Sequence, residues 1–216
     1  MRLSESAKLF CYYYRVTQRK NPPQYLIGID EVGRGPLAGP VFVGAVMVPH
    51  DFDWESVAGV RDSKKLTPRK REEWHGKLSA LREAGRLNFA TASSSAQMID
   101  DRGIVPAIFS ALAQCLKDLD ADPETCEILL DGSLHAPGNF TAQKTIIHGD
   151  DTEPVISVAS IVAKVERDSL MTKLSEEYPE YGFEKHKGYG TAAHCSAIKR
   201  YGLCKLHRKT FCTRLL

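Results

Sequence analysis

Four carboxylates stand at or just beyond the ends of apolar segments that are predicted to be strands: Asp30, Glu31, Asp131 and Asp150. Because strand ends meet loops at one edge of an α/β sheet, we expect these acids to lie close together. Converging carboxylates repel one another, and a divalent cation or a proton shared between two acids is the usual remedy. The residue types and positions therefore predict a cation-binding site or an acid pair that shares a proton.

A glycine-rich turn that holds one arginine, Gly33-Arg34-Gly35, follows the first two acids. Glycine lets backbone amides approach a ligand closely, and an arginine between two glycines can bind a phosphate. Adjacent strand residues normally point to opposite faces, so Asp30 and Glu31 share a site only if the chain turns there, as Gly33 allows. An acid pair alone is more often a solvated turn, but acids beside such a turn indicate metal-assisted phosphodiester chemistry.

The net charge of +2 hides an uneven distribution of charged residues. Residues 185–216 contain eight basic residues and no acid, which leaves 21 basic residues against 27 acids, a net charge of −6, in residues 1–184. A second basic cluster comprises Arg61, Lys64, Lys65, Arg69, Lys70 and Arg71. Two interpretations stay open: a solvated helix face with a solubilising tail, or a surface that binds a phosphate backbone beside an acidic pocket.

The composition excludes several classes of protein. Of 216 residues, 43% are hydrophobic and 26% are charged, as in soluble globular domains. The most apolar stretch, residues 36–49, is too short to span a bilayer, and the N-terminus lacks the apolar core of a secretory signal. We therefore expect a cytoplasmic protein with no membrane partner. The six cysteines form no Cys-x-x-Cys pair, so we expect buried thiols rather than a zinc or redox site.

Hydrophobic patterning and helix-start signals place these residues on an α/β framework. Predicted strands cover residues 25–29, 41–48, 87–92, 127–130 and 145–148. Predicted helices cover residues 3–19, 68–81, 105–119, 155–174 and 192–200. Three strands come early and later strands alternate with helices, which predicts a mixed sheet covered by helices on both faces.

Residues 28–40, with the sequence Gly-Ile-Asp-Glu-Val-Gly-Arg-Gly-Pro-Leu-Ala-Gly-Pro, closely resemble the signature of ribonuclease HII, a type 2 ribonuclease H. Further matches to that family follow in the same order at residues 62–66, 131–132, 148–150, 159–168, 185–191 and 207–211. The resemblance covers residues 25–212, nearly the whole chain.

The resemblance implies a ribonuclease H-like α/β fold. Its mixed sheet would have three antiparallel strands followed by parallel strands, with helices on both faces and a small C-terminal helical segment. Residues 1–184 would form the catalytic domain, and residues 185–216 would form a basic segment that contacts substrate and packs on the same domain. We expect a monomer.

The resemblance also implies an endoribonuclease. Its substrates would be RNA/DNA hybrids and DNA duplexes that contain ribonucleotides, and its products would carry 3′-hydroxyl and 5′-phosphate ends. A metal site of Asp30, Glu31, Asp131 and Asp150 would hold Mg²⁺ or Mn²⁺, with two ions when substrate is bound. Hard carboxylate oxygens suit these ions, and two ions stabilise both the attacking and the leaving oxygen of an in-line displacement.

Substrate-binding residues follow from the same resemblance. The backbone of residues 33–35 would contact the 2′-hydroxyl that distinguishes RNA from DNA, and Tyr189 would pack against a sugar at the RNA–DNA junction. Tyr189 lies between two glycines and close to two lysines, so we expect it to be exposed rather than part of the core. The candidate phosphate contacts are Ser63, Lys64, Lys65, Lys185, His186 and Lys187.

Several alternatives stay open. Asp168 competes with Asp150 as the fourth acid, although its place on a long helix beside Arg167 favours a structural ion pair. Gly103 interrupts a stretch that is more helix-compatible in the family, and His148 stands where the family commonly has lysine. Two rival functions are a ribonuclease HIII-like enzyme, which would carry an extra N-terminal substrate-binding domain, and a nucleic-acid-binding module with a structural cation.

Overall fold

The computed structural model describes residues 22–60 and 63–215, so the predicted helix at residues 3–19 lies outside the described residues. Five strands form one sheet: β1 (Tyr25–Val32), β2 (Val41–Pro49), β3 (Asn88–Ser94), β4 (Cys126–Asp131) and β5 (Gln143–Ile146). Their order is β3-β2-β1-β4-β5, with β1, β2 and β3 antiparallel and with β4 and β5 parallel to β1. The predicted mixed α/β sheet is confirmed.

The described helices are α1 (Pro68–Glu83), α2 (Ala96–Arg102), α3 (Ile104–Asp118), α4 (Gly149–Thr152), α5 (Pro154–Glu177), α6 (Phe183–His186), α7 (Ala192–Tyr201) and α8 (Lys209–Cys212). Short 3₁₀ turns occupy Trp54–Val57, Ser63–Lys65 and Pro179–Tyr181. The four predicted helices that lie within the described residues are therefore confirmed, with small differences at their ends. Thr67 caps α1 as its sequence indicates, because its side chain accepts a hydrogen bond from the Lys70 amide.

Alternation along β1 decides which face of the sheet each residue occupies. Ile27 and Ile29 belong to the core on the side of α3, and both are fully buried. Gly28 points the other way, where an added Cβ would lie 2.4 Å from the Val155 carbonyl at the start of α5. The missing side chain thus lets α5 lie close to the sheet. Asp30, two residues beyond Gly28, ends on the same face as α5.

Two local features follow from single residues that break regular structure. Gly103 has φ 88° and separates α2 from α3, so the stretch that it interrupts forms two helices. Strand β5 occupies residues 143–146, two residues earlier than the predicted 145–148. The reason is the left-handed backbone of His148, φ 56°, which ends the extended chain and starts α4.

The C-terminal helices pack against α5 through a third apolar cluster. Its buried members are Ala38, Met171, Tyr181, Phe183, Ile198 and Cys212. The cysteines of the described chain are all free thiols: Cys115, Cys126 and Cys212 are buried, and Cys195 and Cys204 are partly buried. No helix in the described ranges combines the length and hydrophobicity that a bilayer span requires.

Candidate functional site

Neighbouring parallel strands bring two of the four acids to one edge of the sheet. Ile29 of β1 pairs with Leu130 of β4, so Asp30 and Asp131 are the next residues on adjacent strands. Asp30 is only 6% exposed, and its Oδ1 accepts a hydrogen bond of 2.7 Å from the Glu31 amide. The strand-end pattern therefore placed these acids correctly.

The short helix α4 brings Asp150 to the same edge. Asp131 Oδ1 accepts hydrogen bonds from the amide of Gly149 at 2.8 Å and, less closely, from the amide of Asp150 at 3.4 Å. Ser157 Oγ donates to the Asp150 carbonyl at 2.6 Å, which ties α4 to α5. The Asp131 carboxylate thus holds the segment that carries the buried Asp150 side chain.

Burial and repulsion between like charges raise the pKa of two of these acids. Burial is the largest cause of the pKa of Asp30 lying well above its usual range. The neighbouring charges of Glu31, Asp131 and Asp150 raise the same pKa further. Burial also raises the pKa of Glu31, while its hydrogen bond with Arg34 opposes the rise. These acids interact electrostatically, as groups that share one site do.

Two basic side chains offset part of this negative charge. Arg34 Nη1 lies 2.8 Å from Glu31 Oε1, and Lys64 Nζ lies 2.9 Å from Asp150 Oδ2. The other carboxylate oxygen of Glu31, Oε2, is buried without a hydrogen-bond partner among the described residues. A buried oxygen of that kind is costly unless a ligand binds it.

The donor set of the site fits Mg²⁺ or Mn²⁺, which prefer hard oxygen ligands. In the ranges 22–60 and 63–215, however, no group of three His, Cys, Asp or Glu side chains is placed to hold a metal ion. The unpartnered Glu31 oxygen is available to a cation, whereas Asp150 is engaged by Lys64. A divalent ion bound by Asp150 as well as Glu31 would therefore compete with Lys64 for the Asp150 carboxylate.

Asp168 belongs to a separate network on α5. Lys164 Nζ lies 2.8 Å from Asp168 Oδ1, and Arg71 Nη2 lies 3.7 Å from Asp168 Oδ2. Arg71 also donates hydrogen bonds to the carbonyls of Ser63 and Leu66. The ion pair expected for Asp168 is thus present, but its partners are these two residues rather than the adjacent Arg167. The geometry favours Asp150 as the fourth acid.

The three predicted phosphate contacts at residues 63–65 differ in their surroundings: Ser63 is buried, and the two lysines reach the acids. Ser63 is buried, and its amide donates to Ser160 Oγ at 3.2 Å. Lys64 and Lys65 extend toward α4, where Lys64 pairs with Asp150 and Lys65 pairs with Asp151. The segment thus places two ammonium groups beside the acids, while Ser63 fastens it to α5.

Tyr189 lies on a tight turn between α6 and α7. Its side chain is 41% exposed, as its glycine neighbours predicted. Lys187 and Gly188 both have left-handed backbone, and an added Cβ at Gly188 would lie 2.2 Å from the Ala38 carbonyl oxygen. Lys187 Nζ donates to Thr172 Oγ1 and the Glu184 carbonyl, so it is turned toward the protein.

A chain of three histidines is linked to this turn: His186 and His194 bind its backbone, and His207 binds His194. The Gly188 amide donates to His186 Nδ1 at 3.2 Å, and the His186 ring stacks on His194 with centroids 4.4 Å apart. His194 Nδ1 lies 2.9 Å from the Tyr189 carbonyl, which it can only bind as a donor. His186, a predicted phosphate contact, is placed here as a structural residue.

The third histidine, His207, completes the chain of hydrogen bonds. His207 Nδ1 accepts from the Cys204 amide at 2.9 Å, so its Nε2 is left to donate to His194 Nε2 at 3.1 Å. Both rings are neutral in this arrangement. Burial is the main cause that lowers the pKa of His194 and lowers that of His207 to about 4.

Two arginines are buried beneath these turns: Arg167, which the sequence suggested only as an ion-pair partner of Asp168, and Arg208, for which the sequence suggested no role. Arg208 donates to the carbonyls of Gly33 at 2.6 Å and Arg34 at 2.9 Å, directly beneath the glycine-rich turn. Arg167 donates to the carbonyls of Pro40 and Lys187 at 3.0 Å each. Both residues fall within matched motifs, but charged residues are normally exposed, and only the fold shows that these are not.

The family model for ribonuclease HII matches residues 27–215. A ribonuclease HII of Chlamydia abortus is 46% identical over 187 residues, which are 86% of this chain and 83% of that relative. A ribonuclease HII of Bacillus anthracis is 43% identical over 199 residues, which are 92% of this chain and 73% of that relative. The sequence similarity thus extends over the sheet, the acids and the C-terminal helices.

Solved structures share the fold. A chain in the PCNA:RNase HII complex from Archaeoglobus fulgidus has a TM-score of 0.68 at 24% identity, covering 88% of this chain and 96% of that chain. The ribonuclease H2 of Pyrococcus horikoshii has a TM-score of 0.67 at 25% identity, with the same coverage. Bst-RNase HIII in complex with Mn²⁺ has a TM-score of 0.62 at 18% identity, covering 85% of this chain and 66% of that chain.

Proposed function

Because this chain belongs to the ribonuclease HII family and is a ribonuclease, we propose that it cuts RNA strands of RNA/DNA hybrids and cuts at ribonucleotides embedded in duplex DNA. The reaction is a metal-dependent hydrolysis that leaves 3′-hydroxyl and 5′-phosphate ends. The observation that carries this proposal is the assembly of Asp30, Glu31, Asp131 and Asp150 at one edge of the sheet, with the pKa of Asp30 and Glu31 raised.

The acids hold the cofactor in this proposal. Mg²⁺ or Mn²⁺, when bound by the four carboxylates, would activate a water and stabilise the leaving 3′-oxygen. The Mn²⁺ complex of the related ribonuclease HIII supports the choice of divalent ion. Asp131 has a second task, because its Oδ1 also holds the amides of α4 that position Asp150.

In this proposal, the basic residues near the acids bind carboxylates in the free protein and substrate phosphates in the complex. Lys64 and Arg34 bind carboxylates in the described structure, and both lie at the edge of the site. Divalent ions held by the four carboxylates would offset the negative charge that now attracts Lys64 and Arg34, and we expect these two residues, with the neighbouring Lys65, to bind substrate phosphates. Lys185, which is exposed, extends this phosphate-binding surface toward the turn of Tyr189.

Two backbone turns select the ribonucleotide. Residues 33–35 offer amides near the acids to the 2′-hydroxyl, and the exposed ring of Tyr189 packs against the following sugar. An RNA–DNA junction satisfies both turns at once, since one sugar has the hydroxyl and the next presents an apolar face. This arrangement favours an embedded ribonucleotide over the longer RNA stretches expected for a ribonuclease HIII-like enzyme.

The test is incision of a DNA duplex that holds one ribonucleotide, with Mg²⁺, with Mn²⁺ and with EDTA. We expect cutting at the ribonucleotide with either ion and none with EDTA. Asp131→Asn should abolish cutting while leaving the affinity for the duplex nearly unchanged, because the substitution removes a metal ligand and not a phosphate contact. The expected monomeric state and cytoplasmic location remain predictions for mass photometry and cell fractionation.

Three results would contradict parts of the proposal. Binding of the duplex without incision under every ion condition would instead support a nucleic-acid-binding module with a structural cation. If Asp131→Asn lowered the affinity for the duplex as much as it lowered turnover, Asp131 would act in binding and not in the hydrolysis step. A rate on continuous hybrid far above that on the single ribonucleotide would favour the ribonuclease HIII-like alternative.

A further inference from the structure

Two fully buried arginines lie beneath the turns that are proposed to select the ribonucleotide. Arg167 is on α5 and Arg208 immediately precedes α8, and each is 0% exposed. Their guanidinium groups contact residues 33–35 on one side and the turn of Tyr189 on the other. The two turns therefore share one support.

Arg167 joins the two turns through main-chain carbonyls. Its Nε donates to the Pro40 carbonyl at 3.0 Å, and its Nη2 donates to the Lys187 carbonyl at 3.0 Å and to that of Ala38 at 3.4 Å. Its guanidinium carbon lies 5.8 Å from the centroid of the Tyr189 ring. One planar side chain thus bonds both to the segment after the glycine-rich turn and to the segment before Tyr189.

The glycine-rich turn lies directly against the same side chain. A Cβ added to Gly33 would lie 2.2 Å from Arg167 Nε, and Gly33 has φ 87°. From the other side, Arg208 donates to the carbonyls of Gly33 and Arg34. The position of this turn is therefore determined by the two guanidinium groups and not by its own sequence alone.

Stability does not explain why a charge is buried here. A buried guanidinium is costly unless a carboxylate pairs with it, yet Asp168, the neighbour of Arg167, pairs with Lys164 and Arg71. Burial is the main cause that lowers the pKa of Arg167 and lowers that of Arg208 to about 10. Arg167 Nη1 is buried without a hydrogen-bond partner among the described residues. What the buried arginines do provide is a fixed spacing between the two turns.

We propose that Arg167 is a positioning residue that determines substrate specificity, because it fixes the distance between residues 33–35 and Tyr189. A single embedded ribonucleotide places a 2′-hydroxyl and a deoxyribose on consecutive sugars, so only a correct spacing lets both turns bind at once. The inference rests on the proposed function of those two turns. Arg167 itself need not touch the substrate.

The experiment is a double-mutant cycle of Arg167→Lys and Tyr189→Ala. Lysine keeps the positive charge but cannot donate to Pro40 and Lys187 together. The readout is the ratio of kcat/KM for a duplex with one ribonucleotide to kcat/KM for a continuous RNA/DNA hybrid. Arg86→Lys is the matched control, since Arg86 is half-exposed and lies near Asp53, a residue outside the proposed site.

We expect Arg167→Lys to lower this ratio by up to roughly tenfold, no more than Tyr189→Ala does, since a small misplacement of a binding group weakens its contact. The double variant should have the ratio of Tyr189→Ala alone, because both changes remove the same contact. Arg86→Lys should keep the ratio of the wild type. Arg167→Gln, which avoids burying a charge, should reproduce the effect of the lysine variant.

Equal losses on both substrates, or independent effects of the two substitutions, would overturn the inference while leaving the proposed function intact. Loss of folded protein in both Arg167 variants, measured by near-UV circular dichroism, would also overturn it, because Arg167 would then serve the fold. Failure of the wild type to cut either substrate would contradict the proposed function itself, and the inference with it.

Discussion

At the residue scale, Asp30 combines deep burial with three acidic neighbours. Its pKa is raised in the folded protein, so the folded state binds a proton more tightly than the unfolded chain. The stability that this group contributes is present below the pKa of the unfolded chain and is lost as pH rises from there through the raised pKa of the folded protein, so burial of Asp30 opposes folding at neutral pH. A destabilising group that persists in a site is typical of function.

Asp30→Asn should therefore stabilise the protein in EDTA at pH 7, by about 0.5–2 kcal/mol in the free energy of unfolding. The amide keeps an oxygen that can accept from the Glu31 N–H, so the local backbone is not disturbed. Chemical denaturation measures the effect. Mn²⁺ should raise the melting temperature of the wild type more than that of the variant. A variant that is less stable than the wild type in EDTA would contradict this description of the site.

Tyr189 offers a second test at this scale, with a close control in the same segment. Tyr189→Ala should lower the preference for a single ribonucleotide over continuous hybrid roughly tenfold, since an aromatic contact is lost. Tyr201 is also exposed, at 49% against 41% for Tyr189. Tyr201→Ala should leave the preference unchanged. A melting-temperature loss large enough to explain the activity of Tyr189→Ala would instead assign Tyr189 to the core.

At the scale of elements, the contact between β1 and α5 depends on Gly28. An added Cβ there would lie 2.4 Å from both the carbonyl carbon and the carbonyl oxygen of Val155. Gly28→Ala should lower the free energy of unfolding by about 1–3 kcal/mol, because backbone must move to admit the methyl group. Gly138→Ala, at a glycine with no atom within 4 Å of the added Cβ, should change it little. Equal effects in urea denaturation would refute the close-packing argument.

The histidine chain between α7 and the C-terminal segment predicts a pH dependence of stability. The pKa of His207 is about 4 in the folded protein, below the ordinary value of 6.5. Between these values the unfolded chain binds more protons, so stability falls as pH falls through 6.5 toward 4. From pH 7 to pH 5 we expect a loss of about 1–2 kcal/mol from this group.

Denaturation of His207→Gln over the same pH range checks this expectation. The variant should lose less stability than the wild type on acidification, while His135→Gln, at an exposed histidine, should behave as the wild type does. Comparing variants cancels the opposite contribution of Asp30, which is common to all three proteins. An unchanged slope in His207→Gln would mean that His207 is not held neutral by burial.

Local sequence rules account for much of the element pattern. Apolar runs that end on acids predicted β1 and β4, and Thr67-Pro68 predicted the start of α1. Strand β5 ends two residues earlier than predicted, because a left-handed turn at His148 follows it, and the next amide, that of Gly149, donates to the distant Asp131. The roles of Arg167 and Arg208 could not be predicted, since their partners are carbonyls distant in sequence.

At the scale of the whole molecule, topology explains why the acids meet. Antiparallel β1, β2 and β3 form one half of the sheet, and β4 and β5 extend it in parallel from β1. The parallel pairing places the ends of β1 and β4 at one edge, and α4 then returns Asp150 to the same place. Among the C-terminal helices, the turn between α6 and α7 places the Tyr189 ring beside the guanidinium group of Arg167.

The most direct test of a divalent-ion site is an anomalous diffraction map from crystals of the protein soaked in Mn²⁺. We expect a peak coordinated by oxygens of Asp30 and Glu31, with Asp131 or Asp150, and a Lys64 side chain displaced from Asp150. Peaks confined to other surfaces, with Lys64 still bound to Asp150 at saturating Mn²⁺, would contradict it.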